Sequence, residues 1–156
     1  MRSEERVAAA AADRGLEFDV RVFPDGTRTA ADAGAAVGCD VAQIVKSLVF
    51  VVDDEPVVAL VGGADRLDER KLALAAGGEQ VRRASADEVR QATGYAIGGV
   101  PPFGHAQALR CFVDEALLAH DVVWAAAGTP THVFPSPPGT LVSAAGAQVA
   151  TLRLSP

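Results

Sequence analysis

The sequence predicts an α+β domain in which a curved sheet, mixed or mostly antiparallel, is flanked by helices. Three observations carry this. Capping residues and glycines recur along the chain as helix starts and stops. Short β-branched runs, several with period-two alternation, stand between them. The 156 residues are 49% hydrophobic, which is single-domain size with enough apolar material for a substantial core. No linker, repeat or low-complexity tail divides the chain, so residues 1–156 are expected to form one domain.

In chain order, Ser3 can cap a first helix that runs to about Asp13 and stops at Gly15. Phe18, Val20 and Val22 then alternate with Asp19 and Arg21, the pattern of a half-buried strand reaching Phe23. Thr29 and Asp32 have the spacing of a capping box for a short alanine-rich helix ending near Gly38, and Asp40 opens a further helical turn. Ser47 to Val52 and Pro56 to Val61 read as a hairpin joined through Asp53, Asp54 and Glu55. After Gly62 and Gly63, Asp68 can cap a helix to Ala76, followed by a short strand over 80–82. Ser85 and Glu88 form a second capping box, for a helix ending at Gly94. Arg110 to Asp114 and Val122 to Ala126 look like inner strands. Ser136 and Pro137 start a helix that stops near Gly146, and Gln148 to Leu154 alternates as a last strand.

Charge and cysteine usage narrow the function classes. With 14 Lys and Arg against 20 Asp and Glu, the net charge of −6 argues against broad sequence-independent binding to DNA or RNA, which depends on releasing counterions from many phosphates. A local basic patch stays open, from Arg66, Arg70, Lys71, Arg82 and Arg83. The first six residues carry acids where a signal peptide would be basic, and the strongest apolar run, Leu48 to Val52, is too short to span a bilayer, so a cytoplasmic protein without a membrane anchor is expected. Cys39 and Cys111 have no CxxC spacing and read as reduced thiols.

The stretch from Gly94 to Gly104 concentrates glycine and proline without supplying an acid, a base or a nucleophile. It is either a rigid connection between a helix and a strand or a site whose work is done by backbone amides. Nucleophile-elbow, Walker and zinc-protease signatures are missing, and Gly62 and Gly63 lack the later glycine of a dinucleotide fingerprint. His105, His120 and His132 have no partners at ligand spacing, so neither a metal nor a cofactor is expected. Lys46 stands in a chain that uses arginine for nearly all its positive charge, flanked by Ile44-Val45 and Leu48-Val49-Phe50. Two roles are open for it: a compact ammonium holding one phosphate or carbonyl oxygen, or a buried stem that reaches out to solvent.

The segments Ile44 to Phe50, Leu67 to Leu72, Gly94 to Gly104 and Trp124 to Pro130 together resemble, in order and spacing, the YbaK/EbsC family. This is the free-standing relative of the editing domain inserted in bacterial prolyl-tRNA synthetases. The lysine segment and the GxxxP loop, Gly98 to Pro102, are its most specific parts, and the resemblance covers nearly the whole chain.

The resemblance implies a mixed, barrel-like sheet flanked by helices and a deacylase that clears wrongly attached amino acids from tRNA. It implies Gly98, Gly99 and Pro102 against the aminoacyl ester, and Lys46 holding the terminal adenosine or its phosphate. Phe23, Val100, Pro101, Gly128, Thr129, His132 and Val133 complete the implied substrate-binding set. An aminoacyl ester is already activated, so a positioned water and the amides of Gly98 and Gly99 aimed at the developing oxyanion are enough chemistry, with no protein nucleophile. Members that remove cysteine carry a tyrosine after the first strand and an aspartate after the second glycine-containing loop. Here Phe23 and the stretch Thr131 to Phe134 stand at those places. Phe23, Val133 and Phe134 are either plain core residues or an apolar pocket that selects by size. The implied substrate is a tRNA for proline carrying alanine, serine or cysteine, with prolyl-tRNA synthetase as a partner. A non-catalytic module that binds the aminoacylated end, and a small-molecule esterase, remain as alternatives.

Overall fold

The computed structural model describes residues 1–23 and 29–155. The first helix, α1 (Ser3–Asp13), begins one residue earlier than its serine suggests: Arg2 occupies the cap position and donates its N–H to Glu5 Oε2 at 3.2 Å. The strand expected over Phe18 to Phe23 is reduced to β1 (Arg21–Val22), and its alternation breaks there. Val22 is 64% exposed while Phe23 turns inward, because Phe23 N–H donates to Thr131 O and draws the chain across. The box at Thr29 and Asp32 starts α2 (Ala30–Val37), which ends at Gly38.

A single helical turn over Val41–Gln43 leads into β2 (Val45–Val52), which forms a hairpin with β3 (Glu55–Gly62). The two-residue turn has φ of 46° at Asp53 and 69° at Asp54, the left-handed pair that a type I′ hairpin requires and that aspartate tolerates better than most residues. Asp53 also accepts the N–H groups of Glu79 and Gln80, which ties the turn to the next strand.

Next come α3 (Glu69–Ala76), capped by Asp68, then β4 (Val81–Arg83), and α4 (Ala86–Thr93), opened by the Ser85 and Glu88 box. The later elements are β5 (Arg110–Asp114), β6 (Val123–Ala126), β7 (His132–Ser136), α5 (Pro138–Ala145) and β8 (Gln148–Ala150). Strand β7 is not anticipated from the sequence, and Ser136, read as a helix start, is its last residue. Trp124 pairs with Pro135 across β6 and β7, so the proline lies in a three-stranded sheet of order β1-β7-β6.

The larger sheet has the order β4-β2-β3-β5-β8, antiparallel from β4 to β3 and parallel from β3 to β8. Among the described residues neither sheet closes on itself, so in place of barrel-like closure there are two open sheets that pack on one core and are joined by an isolated bridge, Ile44 to Trp124. The physical reason is local. β4 pairs with β2 only at Phe50, Val51 and Val52, so the first half of β2 is left with an open edge on that side. Val58, Leu60 and Phe134, all fully buried, anchor the main core, while Phe23, Ala33, Ile44, Trp124 and Val133 form a separate cluster beside that edge. The site lies there.

Candidate functional site

A cavity of about 270 Å³ opens at the free edge of β2, between the two sheets. Its apolar wall is the small cluster of Phe23, Ala33, Ile44, Trp124 and Val133, and its mouth carries Lys46, Ile97 and Gly98. Of the residues expected at a site, Phe23, Lys46, Gly98, Val100 and Val133 line this one space. Gly99, Pro101, Pro102, Gly128, Thr129 and His132 do not. Phe134 belongs to the main core, its ring centroid 4.9 Å from that of Phe18 and 5.9 Å from that of Phe103, because alternation along β7 sends Val133 and Phe134 to opposite faces.

The GxxxP loop begins with a turn. Gly99 N–H donates to Ala96 O at 3.0 Å, and Gly98 has φ of +90°, the value that favours glycine at the third position of a type II turn. This changes the expected pair of free amides. Gly99 N–H closes the turn, whereas the N–H groups of Gly98 and Val100 find no acceptor among the described residues.

Gly99 has a packing reason of its own: a Cβ there would come within 2.8 Å of Gly128 O and Thr129 Cα, both backbone. Gly99→Ala is therefore expected to destabilise the fold by about 1–3 kcal/mol through overpacking, read as a lowered denaturation midpoint. Its activity loss should follow that stability loss. The rest of the loop is held by His105, whose Nε2 donates to Pro101 O at 2.7 Å. Burial pushes the His105 pKa below the ordinary histidine value, which favours the neutral ring that donates this bond.

Beyond the turn, Thr129 Oγ1 lies 2.5 Å from His132 Nδ1, so these two residues brace the β6–β7 connection. Pro130, from the same connection, does reach the cavity.

Lys46 is half-buried, and its Nζ donates to Asp65 O. Burial draws its pKa below the usual lysine value; the Asp65 carboxylate opposes this, while Arg83 and Arg66 add to it. Lys46 and Leu48 also line a second, wider groove of about 790 Å³, to which Arg66, Arg70 and Arg83 contribute. The local basic patch is thus real but selective. Arg82 is engaged by Glu88 at 2.8 Å, a bond that with the Ser85 N–H lowers the Glu88 pKa to about 2, and Lys71 donates to Arg153 O and Ser155 Oγ. Asp68 and Glu69 share the groove, and the Asp68 carboxylate accepts Arg70 N–H.

Neither cysteine lies in the cavity. Burial pushes the Cys111 thiol up to about 12 and raises that of Cys39, the reverse of what a nucleophilic thiolate needs. Ser47, Ile44, Trp124 and Pro130 line the cavity without having been singled out by sequence. A serine next to Lys46 in a strand would point to the opposite face, and only the open edge of β2 lets both reach one space.

With this geometry in view, the chain matches the family model of the aminoacyl-tRNA editing domain over residues 24–143. A crystal structure of a candidate trans-editing enzyme for prolyl tRNA synthetase superposes with a TM-score of 0.94 at 46% identity, covering 99% of both chains. The uncharacterized protein YwhH of Bacillus subtilis (strain 168) is 32% identical over 113 residues, 72% of each chain. The proline–tRNA ligase of Maridesulfovibrio salexigens is 35% identical over 113 residues, which are 72% of this chain and 19% of the ligase. The shared part is therefore about a fifth of that ligase's length.

Proposed function

The chain belongs to the aminoacyl-tRNA editing domain family, and on that premise we propose that it is a trans-editing hydrolase cleaving the ester of a small amino acid wrongly attached to a tRNA for proline. The observation that carries this reading is the junction at Lys46. A mostly apolar cavity of about 270 Å³ meets, through Lys46 and Leu48, a groove bearing three further cationic side chains beside Asp68 and Glu69. An aminoacylated RNA end has the same two parts, a small acyl group joined to a phosphate-bearing strand.

In the proposed reaction the acyl group enters the cavity and its carbonyl oxygen faces the Gly98 amide, with the Val100 amide as second donor. Water adds to the carbonyl carbon, and the negative charge that develops on oxygen is stabilised by these fixed dipoles. The ester C–O bond then breaks. The proton lost by water passes through the neighbouring ribose hydroxyl to the departing ribose oxygen, leaving a free amino acid and an intact tRNA. Phe23, Val133 and Trp124 exclude water from the acyl side and limit its size. Lys46 holds a phosphate or ribose oxygen of the terminal nucleotide as a point charge. Pro101 and Pro102 stiffen the loop from behind.

A panel of tRNA for proline charged with alanine, serine, cysteine or proline tests the reading. Release of one or more of the small amino acids with proline spared supports it. Binding of the charged end with no ester loss would instead establish the non-catalytic module.

The groove supplies a separate expectation. Arg66→Ala, Arg70→Ala and Arg83→Ala should each weaken tRNA binding several-fold and reduce the salt slope of log K by about 0.7 for each phosphate that is no longer neutralised. Titrations at a series of salt concentrations read this directly. An unchanged slope in all three variants removes the groove from the RNA path.

A further inference from the structure

Among the described residues, one buried side-chain oxygen or nitrogen has no hydrogen-bond partner, and it is Ser47 Oγ. A hydroxyl kept from water without a partner is costly, so such an atom calls for an explanation. Its position supplies one. Ser47 lines the 270 Å³ cavity together with Lys46, Gly98 and Val100. It also lines an adjoining recess of about 50 Å³, shared with Arg83, Val89, Ile97 and Val100. By volume that recess has room for a few heavy atoms.

The backbone beside it is open as well. Ala84 N–H donates to Val49 O, so the odd-numbered residues of β2 turn their peptide groups toward the β4 side. By the same alternation the peptide groups of Ser47 face that side, where β4 no longer reaches.

We propose that Ser47 is a specificity residue whose Oγ, brought to the cavity by rotation about χ1, hydrogen-bonds a hydroxyl on the side chain of the bound aminoacyl group, so that a seryl ester is preferred to an alanyl ester. This rests on the editing reading given above. A neutral hydroxyl suits a single Oγ in a wall whose other polar side chains are Thr29, Lys46 and Arg83. The α-ammonium of the substrate would need several strong acceptors there, and the wall's side chains offer besides this oxygen only Thr29 Oγ1, which already accepts Asp32 N–H as a helix cap. An alanyl methyl offers Ser47 Oγ no partner. Discrimination against a substrate lacking a hydrogen-bonding group arises in this way, from the partner it strands.

The test compares seryl and alanyl esters of the same tRNA with the full chain, the Ser47→Ala variant and the Ser47→Thr variant. The parent should favour the seryl ester about tenfold in kcat/KM, the size of one net hydrogen bond. In Ser47→Ala the ratio should collapse toward one, and Ser47→Thr, which keeps the hydroxyl, should retain part of it. Thermal stability of Ser47→Ala should equal or exceed that of the parent, since no hydrogen bond of the free protein is lost. A parental ratio near one, or a ratio that survives Ser47→Ala, overturns the proposal.

Failure of the underlying reading looks different: the parent then hydrolyses neither ester. In that case calorimetric binding of non-hydrolysable 3′-seryl-amide and 3′-alanyl-amide adenosines still decides the role of Ser47. A seryl preference that disappears in Ser47→Ala supports it, and equal affinity contradicts it. A recess water that satisfies Ser47 in place of the substrate gives that same absence of preference.

Discussion

Gly98→Ala is expected to reduce single-turnover deacylation by two to three orders of magnitude, the effect of losing one oxyanion donor worth roughly 2.7–4 kcal/mol. The reason is conformational more than steric. A Cβ on Gly98 would meet Pro130 Cγ at 3.4 Å, an ordinary contact, but φ of +90° is a conformation that an L-residue adopts only with strain. Alanine therefore tends to flip the Ala96–Gly99 turn and carry the Gly98 amide away from the cavity.

Because strain also lowers stability, a second variant separates the two effects. Asparagine tolerates positive φ better than alanine. Gly98→Asn should accordingly melt closer to the parent than Gly98→Ala does, while its side chain obstructs the cavity mouth. Turnover lost in both variants beyond any change in folding, with tRNA affinity reduced much less, supports the amide as a donor. Activity that tracks the melting temperature across both variants contradicts it.

Lys46→Ala should cut deacylation about ten- to a hundredfold, corresponding to one charged contact of ~1.5–3 kcal/mol, and leave the fold intact. In the free protein Nζ is held on Asp65 O at the junction of cavity and groove, with its stem along the open edge of β2. In the proposed mechanism Asp65 O holds the ammonium until an RNA oxygen replaces it. Lys46→Arg should recover only part of the activity, since a forked guanidinium cannot occupy the same point. Folded Lys46→Ala protein with full turnover would return this residue to the role of a solvent-reaching side chain.

Much of the fold was legible because its helices announce themselves chemically. The boxes at Thr29–Asp32 and Ser85–Glu88, the cap at Asp68 and the stops at Gly38, Gly94 and Gly146 are all present in the structure. The hairpin was legible from Asp53-Asp54 between two apolar runs. Strand β7 was not, since Pro135 and the Ser136-Pro137 pair carry the local signals of a turn and a helix start, and only pairing with β6 overrides them.

At the site, Lys46, Gly98, Val100, Phe23 and Val133 could be named from the sequence through family resemblance, and they share one cavity. Gly99 and Gly128 carry the same glycine signal for another reason: a Cβ on Gly99 would meet the Gly128–Thr129 backbone and one on Gly128 the Ser3–Glu4 backbone, which a one-dimensional pattern cannot separate from facing a ligand. Ser47, Ile44 and Trp124 were hidden because their place in the cavity depends on where β4 stops pairing and on the bridge between two sheets, both long-range facts.

In the proposed reaction the Gly98 and Val100 amides at an apolar cavity direct water onto the aminoacyl ester without a protein nucleophile. Single-turnover hydrolysis of tRNA for proline misacylated with serine or alanine, with the protein in excess and quenched samples weighed intact by mass spectrometry, tests it most directly. The expected result is ester loss far faster than in buffer, with a protein mass unchanged at every time point. Ester loss no faster than in buffer, or a protein mass raised by one aminoacyl group during the reaction, would contradict it.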